Sequence, residues 1–341
     1  MDREQKKIPT ILDVARLAGV STASVSRVLN ESGTCTEELQ VRVIAAVKQL
    51  GYQPRPRRSK PSREGWLAVL VTDVVSPFFA QIVAGIQEQA DEQGFFTAVI
   101  NTSDKHSRQL RVLQKLKEQP LVGILAAGVY LEPQEWIDCY NSVKTPLVVL
   151  NTCVNHPKIA CILVNFEAAA YQMTQHLLDL GHTRIAYLGD SEVEFSAAEL
   201  RGVMKALGER GIEYPKEYWY SVPHTPEGAS QGISRMMMLP VEKRPTAVFA
   251  FDDELAIQVL NSLRYYGLRV PQDISVVGFD NIPMAAHTYP ALTTIDVPKR
   301  RVGRQMVLLL QTLQQYQGEG LGYTIVDGSL IVRSSTGPAL A

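Results

Sequence analysis

Residues 10–30 read TILDVARLAGVSTASVSRVLN. Thr10 is a good helix N-cap, and Asp13, three residues on, either reaches back to the cap or favours the helix dipole. Ile11, Val14, Ala15 and Ala18 recur at helical spacing and make one apolar face. Gly19 supplies the conformation of a sharp turn. Ser21 then caps a second short helix, with Val25, Val28 and Leu29 inward and Thr22, Ala23, Ser24, Ser26 and Arg27 outward. A third helix starts at Thr36, turns Leu39, Val43, Ala46, Val47 and Leu50 inward, and stops at Gly51. Two short helices on a Gly-containing turn with a third packed across them form a helix-turn-helix unit. The second helix is thin, its outer face small and polar with one Arg, which suits entry into a DNA major groove. The other reading is a three-helix bundle that only packs. Against it, the outward face carries no apolar docking patch and the segment is net basic.

The charge distribution agrees with that reading. The 341-residue chain has a formal net charge of −1. Residues 1–63 hold 12 Lys and Arg against 6 Asp and Glu, net +6, and the remaining 278 hold 22 against 29, net −7. A basic head on an acidic body points to a polyanion partner for the head, with a solvated tail as the bland alternative. At about 100–200 residues per domain, the length implies two or three domains. No apolar run reaches the roughly 18–20 residues of a membrane span, and the polar start MDREQKKIPT has no secretory core, so a cytoplasmic protein is expected. Cys35, Cys139, Cys153 and Cys161 are scattered and read as reduced thiols.

From Trp66 onward, apolar runs alternate with amphipathic helices. LAVLVT (67–72), TAVIN (97–101), VGILAA (122–127) and PLVVLN (146–151) read as buried parallel strands. The rhythm restarts with RIAYLGD (184–190), TAVFAFDD (246–253) and DISVVGFDN (273–281), and helices are expected at 78–93, 167–180, 197–210 and 253–266. The fold class that follows is an all-α helix-turn-helix head plus an α/β body of two doubly wound parallel-sheet lobes. Ligands in such sheets bind outside the carboxyl ends of the strands, so two facing lobes make a cleft.

The strings ILDVARLAGVSTASVSRVLN and EELQVRVIAAVKQLGYQP closely resemble the DNA-binding head of the LacI/GalR family of bacterial transcription regulators. Further landmarks, TDVVSPFFAQIVAGI, HLLDLGHTRIAYLG, AVFAFDDELA, VPQDISVVGFDN and PALTTIDVP, extend the resemblance over the whole chain, with a periplasmic-binding-protein-like body. GRQMVLLLQ and the ending LIVRSST lean toward the cytidine-repressor-like subgroup. The resemblance places Thr22 and Ala23 at base-reading positions and Arg27 as the major-groove Arg. It puts Ser21, Ser24, Ser26, Asn30 and Thr36 at phosphate-contacting or helix-end positions, and Thr10 joins this DNA-binding set. It also implies a homodimer on a palindromic operator, a sugar- or nucleoside-class effector, no cofactor, no metal and no membrane. The domains expected are 1–54 (head), 55–65 (hinge), 66–164 with 296–322 (first lobe) and 165–295 with 323–341 (second lobe). The chain returns near 295 into a helix at 299–316.

Two positions depart from the family. In RPRRSKPSR (55–63), five of nine residues are basic, and Pro56 and Pro61 fall where the family forms a short hinge helix ending in a minor-groove Leu. Proline costs about 3 kcal/mol in a helix interior. An extended basic hinge holding phosphates or a narrow minor groove through Arg55, Arg57, Arg58, Lys60 and Arg63 is one reading, and a solvated spacer is the other. The second departure is Glu199, which stands in ELRG where the family places an effector-gripping Arg; Pro223 stands where an aromatic closes the pocket. The resemblance makes Asp73, Phe78, Phe79, Asn151, Glu199, Asp252 and Asp280 the effector-cleft residues. Asp280 reads as a ligand contact ahead of loop chemistry, Asp252 equally as ligand contact or cap, and Asp253 as loop or helix-cap chemistry. With Glu199 in place of Arg, the cleft either favours a cationic or amine-bearing ligand or has lost effector recognition.

No catalytic pattern competes. The six His lack HExxH spacing, there is no GxxxxGK or strand-linked GxGxxG, and no nucleophile elbow occurs. Met236–Met238 read as packing. The leading expectation is a sequence-specific repressor, not an enzyme, governed by a small molecule. The alternative is a small-molecule sensor with degraded DNA readout that acts through a protein partner.

Overall fold

The computed structural model describes residues 11–29, 36–50, 65–190, 194–315 and 321–340. It divides into two units, Met1–Ser62 and Arg63–Ala341.

The smaller unit contains α1 (Ile11–Ala18), α2 (Thr22–Leu29) and α3 (Glu37–Leu50). Val14, Ala15, Ala18, Val25, Val43 and Ala46 form its buried core, with Val28, Leu39, Val47 and Leu50 packed against it. The expected inward residues whose side chains are described all lie in or against this core, while the side chains of Ile11 and Leu29 lie outside the described residues. The surface differs from expectation in one respect. Leu12, Leu17, Val41 and Ile44 are exposed, so α1 and α3 do carry apolar surface. Their helices have a second apolar row, and three short helices are too few to cover both rows.

The larger unit holds a six-stranded parallel sheet in the order β11-β5-β4-β3-β1-β2. Its strands are β1 (Trp66–Val71), β2 (Phe96–Asn101), β3 (Leu121–Ala127), β4 (Leu147–Leu150), β5 (Ile159–Val164) and β11 (Tyr323–Val326). A second parallel sheet runs β7-β6-β8-β9, from β6 (Ile185–Gly189), β7 (Trp219–Ser221), β8 (Ala247–Ala250) and β9 (Ser275–Val277). An antiparallel pair, β10 (Thr294–Asp296) and β12 (Ser329–Ile331), continues from β9 through single bridges at Val277–Thr293 and Asp280–Asp296.

Helices cover both faces of each sheet. In the first lobe these are α4 (Pro77–Glu92), α5 (His106–Leu116), α6 (Pro133–Val143) and α11 (Lys299–Gln315). In the second they are α7 (Phe166–Asp179), α8 (Glu194–Glu209), α9 (Pro226–Met237) and α10 (Asp253–Tyr265). One continuous core runs from Val69, Ile82 and Met306 in the first lobe to Met173, Tyr187 and Phe249 in the second. Of these, β5 and β7 were not singled out from the sequence.

The boundary expected at residue 323 is corrected. Tyr323–Val326 pair in parallel with Cys161–Val164, so this strand belongs to the first sheet, and only β12 joins the second lobe. The chain crosses at Asp327–Gly328, where a Cβ on Gly328 would lie 2.4 Å from Ile295 Cγ2. Asn165, at another crossing, is tied to this one: its main-chain N–H donates to Val326 O at 2.9 Å and its Nδ2 to Asp327 Oδ1 at 2.9 Å.

Candidate nucleic-acid interface and ligand cleft

In the head, Ser21 caps α2 as expected: Ser24 N–H donates to Ser21 Oγ at 3.1 Å, and the two hydroxyls are 3.0 Å apart. Ser21, Thr22 and Thr36 are exposed and Ser24 is half-buried. The backbone places Ala23, Ser26 and Arg27 on α2, while their side chains, like all of Thr10, Asn30, Arg55, Arg57 and Arg58, lie outside the described residues. The turn has a brace that the sequence reading missed. Arg42 on α3 donates to Ala18 O at 2.7 Å and Gly19 O at 3.3 Å, satisfying carbonyls at the end of α1. Gly19 is left-handed (φ 64°), and a Cβ there would come within 3.0 Å of that guanidinium.

The ligand cleft lies at the carboxyl ends of the strands in the larger unit. In the first lobe, Asp73 follows β1 and folds an Asx turn, its Oδ1 accepting from Val75 N–H at 3.1 Å. Phe78 and Phe79 open α4 and meet edge-to-face at 5.2 Å. Phe79 is pressed under Gly128, where an added Cβ would lie 2.4 Å from the ring. Asn151 is left-handed (φ 61°), and its side chain is committed to the fold: Oδ1 accepts from Val164 N–H at 2.9 Å while its own N–H donates to Ile162 O at 2.7 Å.

The second lobe brings the charge. Asp252 takes the cap, one of its two expected roles, and also meets a histidine. Its Oδ1 caps α10 by accepting from Leu255 N–H at 2.8 Å, and its Oδ2 lies 2.5 Å from His224 Nε2. Burial opposes the charged imidazole, but the hydrogen bond and charge of Asp252 overcome it and raise the His224 pKa to about 9. Asp253 takes the loop role rather than the cap. Its buried carboxyl accepts from Ile282 N–H at 2.8 Å and Thr294 O–H at 2.6 Å, clamping β10 and the loop after β9 to α10. Burial pushes its pKa to about 7 against those bonds.

Asp280 is left-handed (φ 100°) and held by its main chain: its N–H donates to Ile295 O at 2.9 Å and its carbonyl accepts from Lys299 Nζ. That amine, 3% exposed, also donates to Val297 O at 3.0 Å and Asn281 O at 3.3 Å. Burial, then the charges of Asp252 and Asp253, hold the Asp280 carboxyl well above the ordinary range. Glu199 on α8 is fully buried. Its Oε2 accepts from Tyr187 O–H at 2.8 Å, and Oε1 has no hydrogen-bond partner among the described residues. Burial dominates its strongly raised pKa, with Asp280 and Asp252 adding to it.

Several groups in the cleft were not anticipated. Glu254 is raised by burial and by Asp252, and it accepts a 3.0 Å hydrogen bond from Ser76 Oγ across the two lobes. The Phe195 ring stacks on Phe166 (5.3 Å, 23°) and Phe251 (6.3 Å, 19°), and it also meets Tyr130 of the first lobe at 4.9 Å. Phe166 stacks in turn on Phe279 at 5.6 Å. The available signal was position: Tyr130, His224 and Phe251 each lie just beyond a strand. His224 follows β7, which the sequence reading left unassigned.

A helix-turn-helix head in one chain with two doubly wound lobes, whose strand ends face each other with acids and rings, defines a ligand-responsive DNA-binding regulator. Comparisons with known proteins place it more narrowly. Residues 10–55 match the model for bacterial regulatory proteins of the lacI family, and residues 174–336 match that for a periplasmic binding protein-like domain. The chain is 34% identical over 304 residues to the HTH-type transcriptional repressor PurR of Aliivibrio fischeri, spanning 88% of this chain and 90% of that one. It is 31% identical over 337 residues to the HTH-type transcriptional repressor CytR of Escherichia coli, with 98% of each covered. The lac repressor dimer bound to operator and an anti-inducer superposes with a TM-score of 0.72 at 27% identity, covering 97% of this chain and 100% of that one. A transcriptional regulator CelR–cellobiose complex gives 0.70 at 27% identity, covering 96% and 99%. The chain belongs to the lacI family and is a DNA-binding transcriptional repressor controlled by a small-molecule effector.

Proposed function

We propose that the repressor works as a cytoplasmic homodimer that places α2 of each protomer in the major groove of a palindromic operator and catalyses no reaction. Arg27 reads a guanine edge, Thr22 and Ala23 make short contacts to neighbouring bases, and Thr10, Ser21, Ser24, Ser26, Asn30 and Thr36 set the head on the phosphates. Arg55, Arg57 and Arg58 add sequence-independent attraction from the hinge. The effector, of the sugar or nucleoside class, binds between the lobes against Asp73, Phe78, Phe79, Asp252 and Asp280. Glu199 lies behind it, and Asn151 shapes the first-lobe wall.

The observation that carries this reading is the hydrogen bond from Ser76 to Glu254, which joins the strand-end loops of opposite lobes beside the acids and rings. A cleft whose two walls bond to each other has a closed state that a ligand between them favours or opposes. Any change in operator affinity on ligand binding is then matched by a reciprocal change in ligand affinity.

Selection of bound duplexes from a random pool, with and without candidate ligands, tests the reading. A palindromic site emerges, and its recovery changes with the effector. On that site Arg27→Ala flattens sequence preference, costing about 1–3 kcal/mol of discrimination. Arg58→Ala weakens all duplexes alike and lowers the log–log salt slope by about 0.9. Identical behaviour of the two variants would overturn the division between readout and positioning.

A further inference from the structure

The acids of the cleft outnumber the positive groups placed to meet them. Asp73, Asp252, Glu254 and Asp280 come from the ends of β1 and β8, the first turn of α10 and the loop after β9. Among the described residues, the positive groups acting on them are His224 and Lys299. His224 is already bonded to Asp252, and Lys299 is spent on three main-chain carbonyls. Beside these acids Glu199 Oε1 has no hydrogen-bond partner among the described residues, on a residue that is 0% exposed. A buried acceptor left without a donor carries its full desolvation penalty, so the molecule retains a standing preference for something that donates there. The walls are ring faces: Phe195 lies between Phe166 and Phe251, with Tyr130 against its edge. Aromatic faces attract cations as well as flat apolar surfaces.

We propose that the effector of this cleft is an organic ammonium ion carried on a ring, its positive group received by Asp280, Glu254 and the unpartnered oxygen of Glu199 while its ring lies against the phenylalanine faces. This rests on the reading of the cleft as the effector site. A neutral polyol satisfies carboxylate lone pairs through its hydroxyls but leaves the mutual repulsion of the acids in place. A cation removes that repulsion, and burial strengthens the attraction. The raised pKa values of Asp280, Glu199 and Glu254 come first from burial and then from their acidic neighbours, and a cation bound there would oppose both. Two sources supply this chemistry, an amino sugar and an arylalkylamine.

Calorimetric titration of the full chain at neutral pH with matched pairs decides between them. Glucosamine is compared with glucose, and tyramine with its neutral alcohol tyrosol; ribose and cytidine are the uncharged references. The expected result is that the ammonium member of at least one pair binds tenfold or more tighter than its neutral twin, about 1.4 kcal/mol. That advantage falls severalfold in Glu254→Gln and in Asp280→Asn, with each variant's fold checked by its melting temperature. A glucosamine preference identifies an amino sugar, and a tyramine preference an arylalkylamine. Equal binding within every pair, or no binding by either cation, overturns the proposal. If operator affinity responds to ribose or cytidine and to no ammonium probe, the effector reading stands and this inference falls. If an ammonium probe binds with the predicted preference and operator affinity does not move, the charge preference stands and the effector reading falls.

Discussion

The two lobes of the body repeat one doubly wound plan, yet they treat the polar residues at their strand ends in opposite ways. In the first lobe Asp73 folds its own turn and Asn151 clips β4 to β5, so the polar groups are consumed by the backbone around them. In the second lobe Asp252, Asp280, Glu254 and Glu199 crowd together, and the charges of Asp252 and Asp280 push up the pKa values of their neighbours. The first lobe thus supplies shape and the second supplies charge. Asp252 combines both behaviours, accepting from Leu255 N–H on one oxygen and meeting His224 on the other.

The largest effect is expected where the second lobe itself uses an acid structurally. Asp253→Ala leaves the Ile282 N–H and the Thr294 hydroxyl without their acceptor, and urea unfolding should show a loss of about 3 kcal/mol or more. Its first-lobe counterpart, Asn151→Ala, removes one acceptor from Val164 N–H at a left-handed position. The same measurement should show a loss of about 2 kcal/mol. If Asn151→Ala proved the costlier, the contrast between the lobes would be wrong in sign.

Two variants sharpen the contrast through pH. Glu199 is an acid whose folded pKa lies above its unfolded 4.5, so its contribution is most favourable below that pH and is progressively lost as pH rises. Glu199→Gln should therefore gain in melting temperature relative to the parent between about pH 5 and pH 8, the difference growing with pH. His224 has a folded pKa of about 9 against an ordinary 6.5. Its pairing with Asp252 stabilises fully below pH 6.5 and fades as pH climbs through 9, so His224→Gln should be less stable than the parent at pH 6 and indistinguishable at pH 10. The imidazole is 45% exposed, and solvent screening keeps this effect modest. The smallest change belongs to Ser76→Ala. It removes one hydrogen bond between the lobes, worth about 0.5–1.5 kcal/mol, and should weaken effector binding severalfold with little change in melting temperature.

Much of the architecture was legible because burial leaves a periodic trace. Val14, Ala15 and Ala18, or Leu67 through Val71, are buried where helical spacing or an unbroken apolar run puts them. The strands that escaped are those without such a trace. β7 is three residues, and β11 is an edge strand with one side in solvent, which is why Tyr323–Val326 was assigned to the wrong lobe. In the cleft, the family resemblance pointed to Asp252 and Asp280, which follow the apolar runs of β8 and β9. Glu254 was passed over because its partner, Ser76, lies 178 residues away in the chain.

By itself the sequence determined the helix-turn-helix head, the two doubly wound lobes, the split of charge between head and body, and an acid at position 199 where the family resemblance puts an arginine. These depend on local spacing and composition, which the order of residues carries directly. Tertiary structure alone decided which polar groups are spent. Asp253 clamps β10, Asn151 ties two strands, Asp252 both caps a helix and holds His224, and Glu199 keeps one oxygen without a donor. The reason is geometric: a hydrogen bond exists only when the fold brings a donor within about 3 Å, and here those donors arrive from strands and loops far away in the chain.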